Sequence, residues 1–194
     1  MSLNLWTQVW AFKQQVNFML DNTISRFDTG VISSSITRPA NTTQYAAGDV
    51  IAAVTTNNHF VFSGCLRTGF NTGFLSGARI TSSANQSTKL DAQLFLFSSS
   101  QDGTDPITET ADNAAWSPTD DELAARIGVV NFPVADWFAG DVTSGAGGNS
   151  GCDANNLGVV LRSNPDIYGV LVARNTYTPV SGEVFTISLL VTRD

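Results

Sequence analysis

From Val31 onward the chain is cut into short apolar runs, each closed by Gly, Pro, Asn, Asp or Ser, and no long helical period competes with them. That punctuation constrains the fold more than any other feature. The last run states it most clearly. Phe185, Ile187, Leu189 and Val191 fall on one side of an extended chain, while Thr186, Ser188 and Thr192 fall on the other. This is the period of two expected of a strand with one wet face. The runs 31–37, 50–56, 60–66, 78–82, 89–97, 127–134, 158–162, 167–174 and 183–191 all read as strands. About nine short strands with irregular connections point to an antiparallel β-sandwich, although alternation alone does not choose among Greek-key topologies. One short helix is expected, with Ser117 as N-cap, Pro118 in the first turn and Asp120 at the capping-box position, running to about Ile127. The glycine-rich stretches 69–77 and 140–151 read as loops, the second of them mobile.

Residues 1–30 do not share this pattern, since neither Gly nor Pro occurs before Gly30. Leu5, Val9, Phe12, Val16 and Met19 are spaced four, three, four and three apart, which is a heptad seam with Trp6 and Trp10 beside it. A strand using Trp6, Trp10, Phe12, Val16 and Phe18 competes with the helical reading. The chain therefore divides into an arm, 1–30, and a sandwich domain, 31–194. The arm either packs on its own domain or serves self-association.

Composition excludes several function classes. With 194 residues there is room for one well-buried core. Charged residues are only 14%, so Ser, Thr, Asn and Gln supply most of the polar surface, as suits β-structure with many turns. The net charge is −7 and the ten Lys and Arg are scattered singly, which argues against a nucleic-acid partner. An acidic chain is compatible with docking on a basic protein surface. No apolar run approaches the ~20 residues that span a bilayer, and the N-terminus lacks the basic, apolar and small-residue segments of a signal peptide. Neither a membrane nor secretion is expected. Cys65 and Cys152 form no metal-type pair, and no cofactor motif occurs.

The segment Ile36-Thr37-Arg38-Pro39-Ala40-Asn41-Thr42-Thr43-Gln44-Tyr45-Ala46-Ala47-Gly48-Asp49-Val50-Ile51 is a strand, a polar bend and a second strand. Pro39 holds Arg38 extended, and Asn41, Thr42 and Thr43 can bond their own backbone. This segment resembles one found in the capsid decoration (cement) proteins of tailed bacteriophages. Ala111-Asp112-Asn113-Ala114-Ala115-Trp116 fits the same resemblance, as does the terminal run Tyr168-Gly169-Val170-Leu171 … Tyr177-Thr178-Pro179-Val180-Ser181-Gly182-Glu183-Val184-Phe185. The resemblance covers residues from about Ile36 to the C-terminus and leaves the arm outside it. It implies a jelly roll, a homotrimer, the major capsid protein as partner and a place on the outer surface of the virion. A capsid fibre or a host-glycan-binding jelly roll is the alternative within that class. Made in a bacterial cytosol, the two cysteines are expected as buried free thiols, although one bridge between them is possible.

A serine protease is the alternative from another class. Gly148-Asn149-Ser150-Gly151 resembles the nucleophile segment of chymotrypsin-like proteases, and His59, Asp91 and Ser150 follow in that family's order. His59 lacks the Ala-His-Cys context, however, and reads as a strand-edge residue. Asp102, Asp105, Glu109 and Asp112 offer oxygen ligands without the spacing of a calcium loop, so a solvated loop is expected and no metal site. Asp120, Asp121 and Glu122 are explained by the helix N-terminus. Phe60 and Phe62 alternate as core residues would, whereas Phe70 and Phe74 are candidates for contact between subunits. Arg38 either ties the bend to an acidic residue such as Asp49, the favoured reading, or pairs across a subunit boundary.

Overall fold

The structure is a computed structural model that describes residues 10, 12–14, 28–54, 58–67, 71–99, 105–107, 111–140 and 149–193. Its elements in chain order are β1 (Asp28–Thr37), β2 (Val50–Ile51), β3 (Phe60–Phe62), β4 (Thr72–Ser82), β5 (Ala92–Ser98), α1 (Asp120–Ala125), β6 (Arg126–Phe132), β7 (Trp137–Ala139), β8 (Ser150–Arg162), β9 (Ile167–Ala173) and β10 (Val184–Arg193). A 3₁₀ turn at Val134–Asp136 leads into β7.

The strands form two antiparallel sheets, ordered β1-β10-β4-β8-β7 and β2-β9-β5-β6, with β3 also pairing β9. Treat β2 and β3 as one interrupted strand and β7 as an addition. Eight strands then remain, interleaved first-eighth-third-sixth in one sheet and second-seventh-fourth-fifth in the other. That order is the double Greek key of a jelly roll.

Alternation decides which side chains meet between the sheets. Phe185, Ile187, Leu189 and Val191 of β10 are fully buried, as their spacing requires. Opposite them lie Leu94 and Leu96 of β5 and Leu171 of β9 in the same core. Phe60 and Phe62 are also fully buried, their rings stacked at 6.1 Å. Burying each such side chain stabilises by roughly 1.5–3 kcal/mol.

The two outer faces differ. Val50, Phe97, Tyr168, Val170 and Val172 form a second apolar cluster on the far side of the β9 sheet, covered by Ile107, Trp116 and Ala125. β9 is therefore buried along its whole length. Among the described residues no comparable cluster covers the outer side of β1-β10-β4-β8, where alternate side chains stay exposed. Among the described residues, one face of the sandwich is sealed and the other is bare.

Several boundaries differ from expectation. β1 runs from Asp28, ahead of the expected run 31–37, and pairs β10 from Asp28↔Arg193 onward. The run 69–77 is largely strand: β4 starts at Thr72, and Gly73 is needed because a Cβ there would lie 2.6 Å from Leu66 Cδ2 and 2.9 Å from the Thr192 carbonyl. Likewise β8 starts at Ser150 within the expected 140–151 loop, of which residues 141–148 lie outside the described ones. β8 is interrupted where Leu75 pairs Val159 but Gly77 pairs Asn155. Asn156 (φ 57°) and Gly158 (φ 63°) take up the extra length there. The helix is capped by Thr119, not Ser117. Thr119 Oγ1 accepts from Glu122 N at 3.3 Å while Glu122 Oε2 accepts from Thr119 N at 2.6 Å. It ends at Ala125, one residue before β6 begins.

Candidate functional site

The three stretches that carry the family resemblance meet in space. Arg38 leaves β1 with its backbone N–H donating to Glu183 O at 3.0 Å, and its side chain is almost wholly buried. There Arg38 Nη2 donates to Asp112 Oδ2 at 3.1 Å, and Tyr45 OH donates to Asp112 Oδ1 at 2.5 Å. Ala52 N donates to the same Oδ1 at 3.0 Å, and Arg38 Nε also reaches the Tyr45 hydroxyl. Tyr45 bridges to Tyr177, whose hydroxyl donates to Glu183 Oε1 at 2.7 Å, and Ser82 Oγ donates to the same carboxylate oxygen. Burial, then the neighbouring Asp112, raises the Tyr45 phenol above its usual value. Burial followed by Glu183 does the same to Tyr177.

This network is a staple that closes one end of the sandwich. It corrects the reading of Arg38, whose acidic partner is Asp112, while Asp49 instead accepts from Ala46 N at 2.6 Å within its own turn. With 1% of its surface exposed, Arg38 offers nothing to another subunit.

The protease arrangement is not assembled. Ser150 Oγ donates to Ala84 O at 2.7 Å and is buried in β8. His59 lies before β3, on the opposite sheet, with Nε2 2.7 Å from Asp105 Oδ2 and its ring edge-on to Tyr168. Asp91 is held through its backbone by Asn175 and Arg174. Each member is used locally, with Ser150 and His59 on opposite sheets.

The acidic residues are dispersed in the same way. Asp105 serves His59 and Ile107 N, Asp112 serves the staple, and Asp102 and Glu109 lie outside the described residues. No group of three or more His, Cys, Asp or Glu among the described residues is placed to hold a metal ion. Cys65 and Cys152 are free and buried, each thiol pushed up to about 12, chiefly by burial. No helix among the described residues is long and apolar enough to cross a membrane.

One end of the outer face of the β1-β10-β4-β8 sheet is exposed and apolar. Cross-strand register places Val31 beside Leu190, Leu190 beside Gly77, and Gly77 beside Asn155. In the next row Thr29 lies beside Thr192, then Phe74, then Val160. Val31, Leu190, Phe74 and Val160 are all exposed. The other end of the face is hydroxylic, with Ser33 bonded to Ser188 at 2.8 Å and Ser35 to Thr186 at 2.7 Å. Between the two ends Arg79 holds Asp153 through two bonds of 2.5 and 3.0 Å.

Of the interaction residues expected from sequence, Phe74 lies in this surface, and Trp10 and Phe12 are helical and exposed. Leu5, Trp6, Val9, Val16, Met19 and Phe70 lie outside the described residues. Val31, Val160 and Leu190 were missed. Each is a single apolar residue on the polar side of its strand, and only cross-strand register gathers them into a patch.

No protein-family model matches the chain, and no curated protein matches it. Among solved structures the chain is similar to the capsid of Ralstonia phage GP4, at 13% identity and a TM-score of 0.41, over 86% of this chain and 85% of that one. It is also similar to the decameric BFDV capsid protein (12% identity, TM-score 0.27, 86% and 98% covered) and to the nora virus structure (11% identity, TM-score 0.21, 85% and 59% covered). The jelly-roll assignment rests on strand order and not on these likenesses.

Proposed function

We propose that this chain is a non-enzymatic virion structural protein that decorates a tailed-phage capsid from outside and bridges neighbouring subunits of the major capsid protein. The observation that carries this reading is the unequal treatment of the two sheets: one outer face is sealed by its own loops, while the other exposes Val31, Leu190, Phe74 and Val160 together. A monomer gains nothing from such a patch, whereas a bridging protein uses it as the apolar centre of a contact with a polar rim. Binding a folded lattice stabilises it by mass action, so no reaction chemistry is needed. A closed ring of copies, a trimer at a threefold position, matches such a lattice site.

The reading is tested by adding the purified chain to shells that lack it and following binding by sedimentation and shell disruption by heat. Saturable binding with a higher disruption temperature is expected, and Val160→Asp with Phe74→Asp should weaken it at least tenfold. Shells that neither bind the chain at high micromolar concentration nor gain stability overturn the reading.

The glycan-binding alternative has one observation in its favour. A hollow of about 330 Å³ is lined by Gln44, Gln86, Ser87, Thr88, Thr176 and Thr178, all uncharged hydrogen-bonding groups. Retention of the chain on host-surface polysaccharide, lost in Gln44→Ala, would favour that reading over capsid decoration.

A further inference from the structure

The bare face holds a hollow of about 280 Å³ above Gly77, smaller than most small-molecule pockets and suited to one large side chain. Val31 and Leu190 form its apolar wall, and Arg79, Asp153, Asn155 and Ser188 line the rest. Gly77 adds no side chain to the hollow, and Asn155 Oδ1 lies 3.8 Å from the point a Cβ would occupy. An apolar wall, a hydrogen-bond acceptor and a guanidinium are together what an indole ring uses: burial, a partner for its N–H and a cation over its face.

Among the described residues Trp10 is the match. It is 64% exposed, whereas Trp116 packs on Phe95 and Phe97 and Trp137 is half-buried. Trp10 precedes β1 in the chain, and β1 enters the sheet at Asp28, beside the row that holds Val31. Yet Val31 stays 63% exposed, so the chain's own tryptophan does not fill its own hollow. The fourteen residues from Gln14 to Asp28 can span up to ~50 Å when extended, enough to reach a neighbouring molecule.

We propose that Trp10 of one copy docks in the Gly77 hollow of a second copy, so that copies are joined by exchanged arms. This rests on the self-association within the reading above and not on binding to a shell. Phe12 cannot share the hollow, because residues two apart on a helix point in widely different directions.

The test uses the full chain in solution. Lys13→Cys protein, which keeps Trp10 and places a thiol one helical turn from it, is mixed with size-tagged Val160→Cys protein under mild oxidation, Cys65 and Cys152 being buried. A mixed disulfide adduct is expected, in at least tenfold higher yield than from Trp10→Ala/Lys13→Cys with the same partner. Sedimentation should show that Gly77→Gln, which fills the hollow without adding an apolar group, weakens self-association at least tenfold. The exposed-site variant Leu190→Ser does the same should Gly77→Gln fail to fold. A bridge formed within single chains of the Lys13→Cys/Val160→Cys double variant, independent of dilution, overturns the proposal. So does a chain that is monomeric throughout, or one whose association both hollow variants leave unchanged. Self-association through the hollow without shell binding would overturn the capsid reading alone.

Discussion

At the scale of single residues the informative position is Asp112. Its carboxylate accepts from Arg38, Tyr45 and Ala52 N, and Arg38 is fully buried against it. Removing one member of a buried pair leaves a charge with no partner, which costs about 3–5 kcal/mol, whereas replacing both by apolar groups is often near neutral. Asp112→Ala is therefore expected to lower the urea unfolding free energy by about 3–5 kcal/mol, with Arg38→Met/Asp112→Leu recovering only part of the loss, because the Tyr45 hydroxyl and Ala52 N still lack their acceptor. The thiols give a second expectation. Burial lifts Cys65 and Cys152 from 9.0 to about 12, so the unfolded thiols ionise first as pH rises. Their contribution to stability is then full below about pH 9 and lost between about 9 and 12. Disulfide-exchange reagents at pH 8 should leave both cysteines unlabelled until the chain is unfolded, and rapid native labelling would contradict the buried assignment.

At the scale of elements, α1 separates a cap read from sequence from the one the fold uses. Ser117 and Thr119 both precede the helix, but only Thr119 exchanges bonds with Glu122. Thr119→Ala is expected to cost about 1 kcal/mol, and Ser117→Ala less than about 0.5 kcal/mol, in paired denaturation curves. Equal costs would mean that the helix starts earlier. The two glycine-rich stretches teach a related lesson. Glycine marks turns because it tolerates unusual backbone angles, but Gly73 is there because Leu66 and the Thr192 carbonyl crowd it inside a strand. A local reading cannot tell these causes apart, since the crowding residues come from distant parts of the chain.

For the whole molecule, β1 and β10 bring the two ends of the domain together in one sheet, paired from Asp28↔Arg193 to Thr37↔Val184. The core residues among the described ones all lie beyond Asp28, so a chain lacking residues 1–27 is expected to melt cooperatively, close to the full-length temperature in calorimetry. It should lose self-association in sedimentation. Failure to fold would mean that the arm belongs to the core after all. Trp10 and Phe12, both exposed in the single chain, argue for the first outcome.

Sequence by itself determined the buried sides of the alternating strands, because alternation is local: Phe185, Ile187, Leu189 and Val191 must share a face whatever lies opposite. It also singled out the three stretches of the staple, though not that they touch. Tertiary structure alone decided the rest. Strand order, the choice of Asp112 over Asp49 for Arg38, and the joining of Val31, Leu190, Phe74 and Val160 into one surface all depend on pairings between residues far apart in the chain. Such pairings follow from how two whole sheets fit together, and no period within a single strand encodes them.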